Sequence, residues 1–161
     1  MATGSLAALL DTLPQRGRVV WLGVRPERRA PLRECATLEL EPAHGIVGDR
    51  YAGRSGKRQV TLIQAEHIEV VRCLLGHQTI APTTLRRNVV VAGINLLALK
   101  QRRFRVGDVL LEGTGACHPC SRMEEALGAG GYNAMRGHGG ITARVIDAGR
   151  ISRGDEVALV T

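Results

Sequence analysis

Aromatic residues are nearly absent from this chain: one Trp, two Tyr and one Phe make up 2% of it. A core must therefore be built from Val, Leu, Ile and Ala, and a nucleic acid finds few rings on which to stack its bases. Long runs of basic residues are missing as well, which further disfavours a nucleic-acid partner. No apolar stretch approaches the roughly 20 residues needed to span a bilayer. Met1 to Leu13 is apolar but has no basic leader segment, and Asp11 interrupts it. Secretion and membrane attachment are not expected, and the cytoplasm is the expected location. Four cysteines in 161 residues are too few for a disulfide framework. In a reducing compartment close cysteines are more often catalytic or metal-binding.

What is present is ample apolar residue, 44%, and a formal net charge of +7. The length suits one domain, residues 1–161, with a proper core. The positive balance suits an anionic partner such as a phosphorylated small molecule or an acidic protein surface.

Leu6, Leu9, Leu10 and Leu13 recur at helical spacing before Pro14, predicting a short amphipathic helix laid against the domain. Gly17 to Val24, with Val19, Val20, Trp21 and Leu22, reads as a buried strand, and Pro26 to Pro31 as a charged loop. From Arg33 to Glu41 the chain alternates, placing Ala36, Leu38 and Leu40 inward and Cys35 outward. Gln59 to Gln64 predicts a strand. Ala65 to Leu75 predicts a helix with Ile68, Val71, Leu74 and Leu75 on its apolar side and Cys73 near the core. Further strands are expected at Val89 to Val91, Val109 to Leu111, Ile141 to Ala148 and Glu156 to Val160. Gly107-Asp108 and Gly154-Asp155 echo each other as strand-feeding turns, a repeated hairpin device. Many short strands with two or three brief helices predict a mostly β fold, closed into a barrel because closure leaves no exposed edge.

The chemistry concentrates in Cys117-His118-Pro119-Cys120-Ser121-Arg122. Ser121 with Glu124 three residues on has the form of a capping box; alternatively Pro119 is the first helical residue. Both place Cys120 at or just before a helix start, where peptide dipoles favour the thiolate, and Arg122 adds to that field. The C-x-x-C spacing also occurs in zinc and thioredoxin-type sites. Two further zinc ligands are lacking, since His44, His67, His77 and His138 are scattered, and the strands offer no parallel βαβ context. The alternative is that both thiols are small buried hydrophobes. The functional reading is preferred, with Cys120 ahead of Cys117.

Arg50, Lys57, Arg58, Arg86 and Arg87 lie in glycine-rich loops or at strand starts, where paired N–H donors can hold phosphate. Taken singly, each arginine is more often a solvated surface charge. Asn88, an amide leading into an apolar strand, is either a hydrogen-bond hub or a ligand contact. Gly137-His138-Gly139-Gly140 either presents backbone amides to an anion or forms a mobile lid.

Taken in order, Gly45-x-x-Gly48-Asp49-Arg50, Arg58-Gln59-Val60-Thr61-Leu62-Ile63, Arg87-Asn88-Val89-x-Val91-x-Gly93-Ile94, Pro119-Cys120 and Gly139-Gly140-x-x-Ala143-Arg144-Val145 with Gly154-Asp155 resemble one known family. It is the MOSC domain, the C-terminal domain of molybdenum cofactor sulfurases, and the resemblance covers roughly Arg18 to Leu159. It implies a β-barrel of the MOSC or pyruvate-kinase-barrel type with a few short peripheral helices. It also implies that Cys120 carries the chemistry, ligating molybdenum of the molybdenum cofactor in reductases of N-hydroxylated compounds, or serving in sulfur transfer. The cofactor would be held by Gly48, Asp49, Arg50, Lys57, Arg58, Arg87, Asn88, Arg122, Gly139 and Gly140. In sulfurases the domain follows a pyridoxal-phosphate cysteine desulfurase, so a desulfurase or an electron-donor protein is the expected partner. Stand-alone members are described as sulfur carriers, and a cofactor-binding module without turnover is the alternative. Two departures stand out: Tyr51 where many relatives have His, and the additional Cys117.

Overall fold

The computed structural model describes residues 4–50, 56–77 and 79–161, and Tyr51 and Gly53 lie outside them. In chain order the elements are α1 (Leu6–Leu10), β1 (Gly17–Val24), β2 (Arg33–Glu34), β3 (Thr37–Glu41), β4 (Gly45–Ile46), β5 (Val60–Gln64), α2 (Ala65–Leu75), α3 (Pro82–Leu85) and β6 (Val89–Ala92). There follow a 3-10 turn (Leu96–Leu99), β7 (Arg103–Val106), β8 (Val109–Ala116), α4 (Ser121–Leu127), α5 (Gly131–Met135), β9 (Ile141–Asp147), β10 (Gly149–Ser152) and β11 (Glu156–Leu159).

Seven strands close on themselves in the order β1-β6-β5-β9-β8-β7-β11, and β11 returns to β1 through Gly17 opposite Val157. β2 extends β1 as an antiparallel flap, and β10-β3-β4 form a separate small sheet. The strands pair antiparallel except β5 with β6, which run parallel because α2 and α3 carry the chain between them. The expected barrel is therefore present.

Alternation along the strands explains why several read as continuous apolar runs. Leu22, Leu62, Val89 and Val91 point into the barrel, whereas Trp21, Ile63 and Val90 point outward into a second cluster with Val71, Leu85, Met123, Leu127 and Met135 of the helices. A strand buried on both faces needs no polar parity. Each such Val, Leu or Ile contributes about 1.5–3 kcal/mol through burial. The near lack of rings is met by small aliphatic side chains, and among the described aromatic residues only Phe104 is fully sealed inside the barrel.

Several expectations are corrected. Helix α1 forms, with Ser5 capping the Ala8 amide, but it buries nothing: Leu6, Leu9 and Leu10 are all exposed. Only Leu13 beyond it packs on the barrel core. Leu74 and Cys73 of α2 are exposed too. The strand from Arg33 breaks between Glu34 and Thr37, so parity is lost there. Cys35 packs against the barrel core and Ala36 is exposed. The two Gly-Asp echoes differ in use. The first closes the β7–β8 hairpin, whereas the second carries the chain from β10 in the small sheet to β11 in the barrel. The Gly128 to Gly140 stretch, with six glycines in thirteen residues, nevertheless contains helix α5, whose Met135 is fully buried. His67 and His138, far apart in sequence, meet edge to face with ring centroids 5.3 Å apart.

Candidate functional site

Strand β8 ends at Ala116, and the next residue, Cys117, turns back under the helical layer, its amide donating to the Gly140 carbonyl at 2.9 Å. Arg87 fixes this turn. Its guanidinium is buried and donates to the carbonyls of Gly139 (2.9 Å), Leu85 (2.9 Å) and Cys117 (3.2 Å). Two glycines make the approach possible. A Cβ on Gly139 would stand 2.2 Å from the Cys117 oxygen, and one on Gly140, with φ of +86°, only 1.8 Å from the Leu62 oxygen. These residues are packing positions, and the motif Gly139-Gly140 serves strand contact through missing side chains.

Cys120 is itself the N-cap of α4, with extended backbone and no side-chain cap bond. The expected capping box is not formed. Glu124 instead reaches forward, where its carboxylate accepts the amides of Tyr132 (2.9 Å) and Gly130 (3.0 Å) at the start of α5. The Tyr132 amide first, and the Gly130 amide next, hold the Glu124 carboxyl below its ordinary value of 4.5. A depressed carboxyl contributes stability above its unfolded pKa and loses it as pH falls through the lower folded value. Glu124→Gln should therefore melt below wild type at neutral pH, with the gap closing on acidification. Thermal unfolding from pH 7 to pH 3 measures it, and a gap independent of pH would contradict this role.

A cavity of about 570 Å³ opens beside these residues. Among the described residues its wall includes Cys117, Cys120, Thr61 and eight arginines (Arg25, Arg28, Arg29, Arg50, Arg58, Arg86, Arg87 and Arg122), with Glu27 as the one acid. Cys120 is exposed on this wall, while Cys117 is 3% exposed, with Arg58 Nη2 3.9 Å from its sulfur. Like charges crowd one another in the site. Burial, then the nearby Arg122 and Arg25, lower the pKa of Arg86. Arg87 is lowered first by burial, with Arg58 and Arg25 adding to the effect and the thiols of Cys117 and Cys120 opposing it. An anion in the cavity would relieve that crowding.

Of the residues expected at the site, Cys120, Arg50, Arg58, Arg87 and Arg122 share this wall. Gly48, Asp49, Lys57, Asn88, Gly139 and Gly140 are not part of it. Gly48 turns the exposed chain with φ of +86°. Asp49 is a buried anchor whose carboxylate takes the Arg25 amide (2.7 Å) and guanidinium (3.1 Å). The carbonyl of Lys57 accepts the Thr114 hydroxyl. Asn88 is the hub of this region, fully buried and bonded through its amide group to Thr61, Gly23 and Asp49.

Arg25, Arg28 and Arg29 were not expected. The Pro26 to Pro31 loop is drawn onto the wall by Arg86, which donates to the Ala30 carbonyl at 3.0 Å. Arg29 and Arg86 both hold left-handed backbone, φ of 62° and 59°. Such conformations in non-glycine residues concentrate at functional sites. The charge density of the loop was the available signal.

Comparison with known proteins agrees with this architecture. YuaD from Bacillus subtilis superposes with a TM-score of 0.79 at 20% identity, covering 92% of this chain and 98% of its own. YiiM from Escherichia coli gives 0.68 at 19% identity over 89% of this chain and 70% of its own. YiiM from Geobacillus stearothermophilus gives 0.72 at 15%, over 90% and 75%. At these identities the likeness is one of fold. No curated protein matches the sequence. The family profile of the MOSC domain matches residues 29–158, most of the chain. The chain belongs to the MOSC domain family, whose domains are associated with the molybdenum cofactor.

Proposed function

We propose that the arginine-walled cavity holds the anionic molybdenum cofactor and that the Cys120 thiolate is the reacting group beside it. One observation carries this reading: an exposed thiol on the same wall as eight guanidinium groups and one carboxylate. The donor set fits the group. Guanidinium pairs bind phosphate through parallel N–H bonds, and a soft thiolate suits a soft metal. Among the described residues no cluster of three or more His, Cys, Asp or Glu could hold a bare ion. A single protein thiolate therefore suits a metal that arrives already chelated. When bound, the cofactor supplies a redox-active metal.

Arg58 and Arg122 flank the thiols and would orient the phosphate, Arg28 and Arg29 would close over it from the loop, and Arg87 keeps the Cys117 turn in place. Cys120 then either ligates the metal or carries a transferred sulfur. Electrons would come from a donor protein, sulfur from a cysteine desulfurase, and N-hydroxylated compounds are the substrates to try first. A binding module without turnover shares the same cavity.

Anaerobic purification from a cofactor-producing host, with metal analysis and fluorescence of released pterin, tests the reading. Wild type should carry both, and the double variant Arg58→Ser/Arg122→Ser should lose most of both, about ten-fold or more. Equal pterin in wild type and the double variant would remove the arginine wall from the site. Multiple turnover of an N-hydroxylated compound with an artificial electron donor would exclude the simple binding module.

A further inference from the structure

Cys117 is used by nothing derived so far, yet it is the best-held residue of the site. The residue is 3% exposed on the wall of the cavity, with Arg58 Nη2 3.9 Å from its sulfur. Its carbonyl is clamped by Arg87, and its amide is bonded to Gly140. Cys120, three residues on, lines the same cavity but is exposed. Both thiols act on the charge of Arg87, so they share one electrostatic environment. An outer thiol and an inner one on one wall, the inner beside a permanent cation, form a pair of unequal accessibility.

We infer that Cys117 is the storage position for sulfane sulfur that Cys120 receives from an external persulfide. This rests on the sulfur-carrying reading of Cys120. In the transfer, the Cys117 thiolate attacks the terminal sulfur of the Cys120 persulfide. A bond forms between Cys117 Sγ and that sulfur, and the bond from it to Cys120 Sγ breaks. The bonding pair leaves on Cys120 as thiolate, and the proton stays on the moved sulfur. The oxidation level is conserved, so neither oxidant nor reductant is required. Arg58 offsets the negative charge on the Cys117 side before and after transfer, since a guanidinium stays protonated at all working pH values. Burial hides the stored sulfur from thiols and other nucleophiles in bulk solvent, whereas on Cys120 it would be open to them.

The whole chain is loaded with cysteine persulfide, desalted, and treated with cyanide while thiocyanate is followed in time. Tandem mass spectrometry locates the added sulfur. Wild type should show a slow phase at least about ten-fold slower than the single phase of Cys117→Ser, because accessibility sets thiol reactivity. Arg58→Gln should shorten the slow phase. Cys120→Ser should load poorly, because the outer thiol is the point of access. Cys117→Ala, checked with Cys117→Ser for unchanged thermal unfolding, guards against a folding defect. Sulfur found only on Cys120 with cyanide rates equal to Cys117→Ser overturns the storage role and leaves the carrier role standing. A Cys117–Cys120 disulfide with released sulfide also overturns it, making Cys117 a resolving thiol instead. Failure of wild type to take up any sulfur overturns both the storage and the carrier roles, while cofactor retention measured separately decides the metal-ligand role.

Discussion

Cys120→Ala is expected to abolish whichever of metal retention and persulfide loading the wild type shows, while leaving the fold intact. Residues that merely support a metal ligand change affinity 10–100-fold when lost, so removing the ligand itself should cost more than about 100-fold. The side chain is exposed and makes no cap bond at the start of α4, so little stabilising contact is forfeited. Substitutions at such positions usually lie within about 0.5 kcal/mol of wild type. The measurement is paired: metal and sulfur content per chain, and thermal unfolding of the same preparations. Separate outcomes divide the two chemistries. Lost molybdenum with normal sulfur uptake would assign Cys120 to the metal and move sulfur carriage elsewhere. Equal molybdenum in both proteins would remove the ligand role.

Asn88→Ala is expected to have the opposite profile, a large loss of stability from a residue that does not line the cavity. Its Oδ1 accepts the Thr61 amide (3.1 Å) and hydroxyl (3.0 Å), and its Nδ2 donates to the Gly23 carbonyl (3.1 Å) and Asp49 Oδ1 (3.1 Å). All of this is buried, where water does not replace a lost partner. Each orphaned group costs about 1–3 kcal/mol. With partial relaxation the sum is about 3–5 kcal/mol, among the larger effects of a single substitution. Urea unfolding monitors it. Asn88→Asp should be worse at neutral pH, because a carboxylate cannot donate and would face both the Gly23 oxygen and the Asp49 carboxylate. Acid should narrow the difference between the two variants, as protonation restores a donor. A loss below about 1 kcal/mol in Asn88→Ala would return Asn88 to the ligand-contact role.

The barrel was legible because its strands are bounded by turns and carry β-branched side chains. β1 was placed at Gly17–Val24, as expected, and β5 and β9 to within a residue at either end. Helix α5 was not legible. Six glycines between Gly128 and Gly140 argue against a helix on propensity, and the turn forms because Glu124 supplies its first amides with an acceptor. Helix α1 shows the reverse. Leucines at helical spacing specify the helix but say nothing about whether another surface meets it.

At the site, Cys120 and the arginines next to glycines stood out by residue type and position. The arginines of the Pro26 to Pro31 loop did not, because their place on the wall depends on Arg86 reaching Ala30 across 56 residues. For Asn88 the sequence left two roles open, and its side chain is shared among β1, β5 and the Asp49 loop, the pattern of a hydrogen-bond hub. The glycines before β9 carry a family motif, but their use is visible only from the carbonyl oxygens pressed against them.

The scarcity of rings leaves one indole in the whole chain, and it does not sit inside the barrel. Trp21 faces outward among Leu32, Leu85 and Met123, in the layer that borders the arginine wall, with Gly23 against its ring. The molecule thus carries a single indole as an optical gauge, set between barrel and helices. Its emission reports the seam between β1 and the helical layer, whereas far-ultraviolet dichroism reports helices and strands together. Loosening at that seam is therefore visible by emission in unlabelled protein and can be compared with loss of the whole backbone structure.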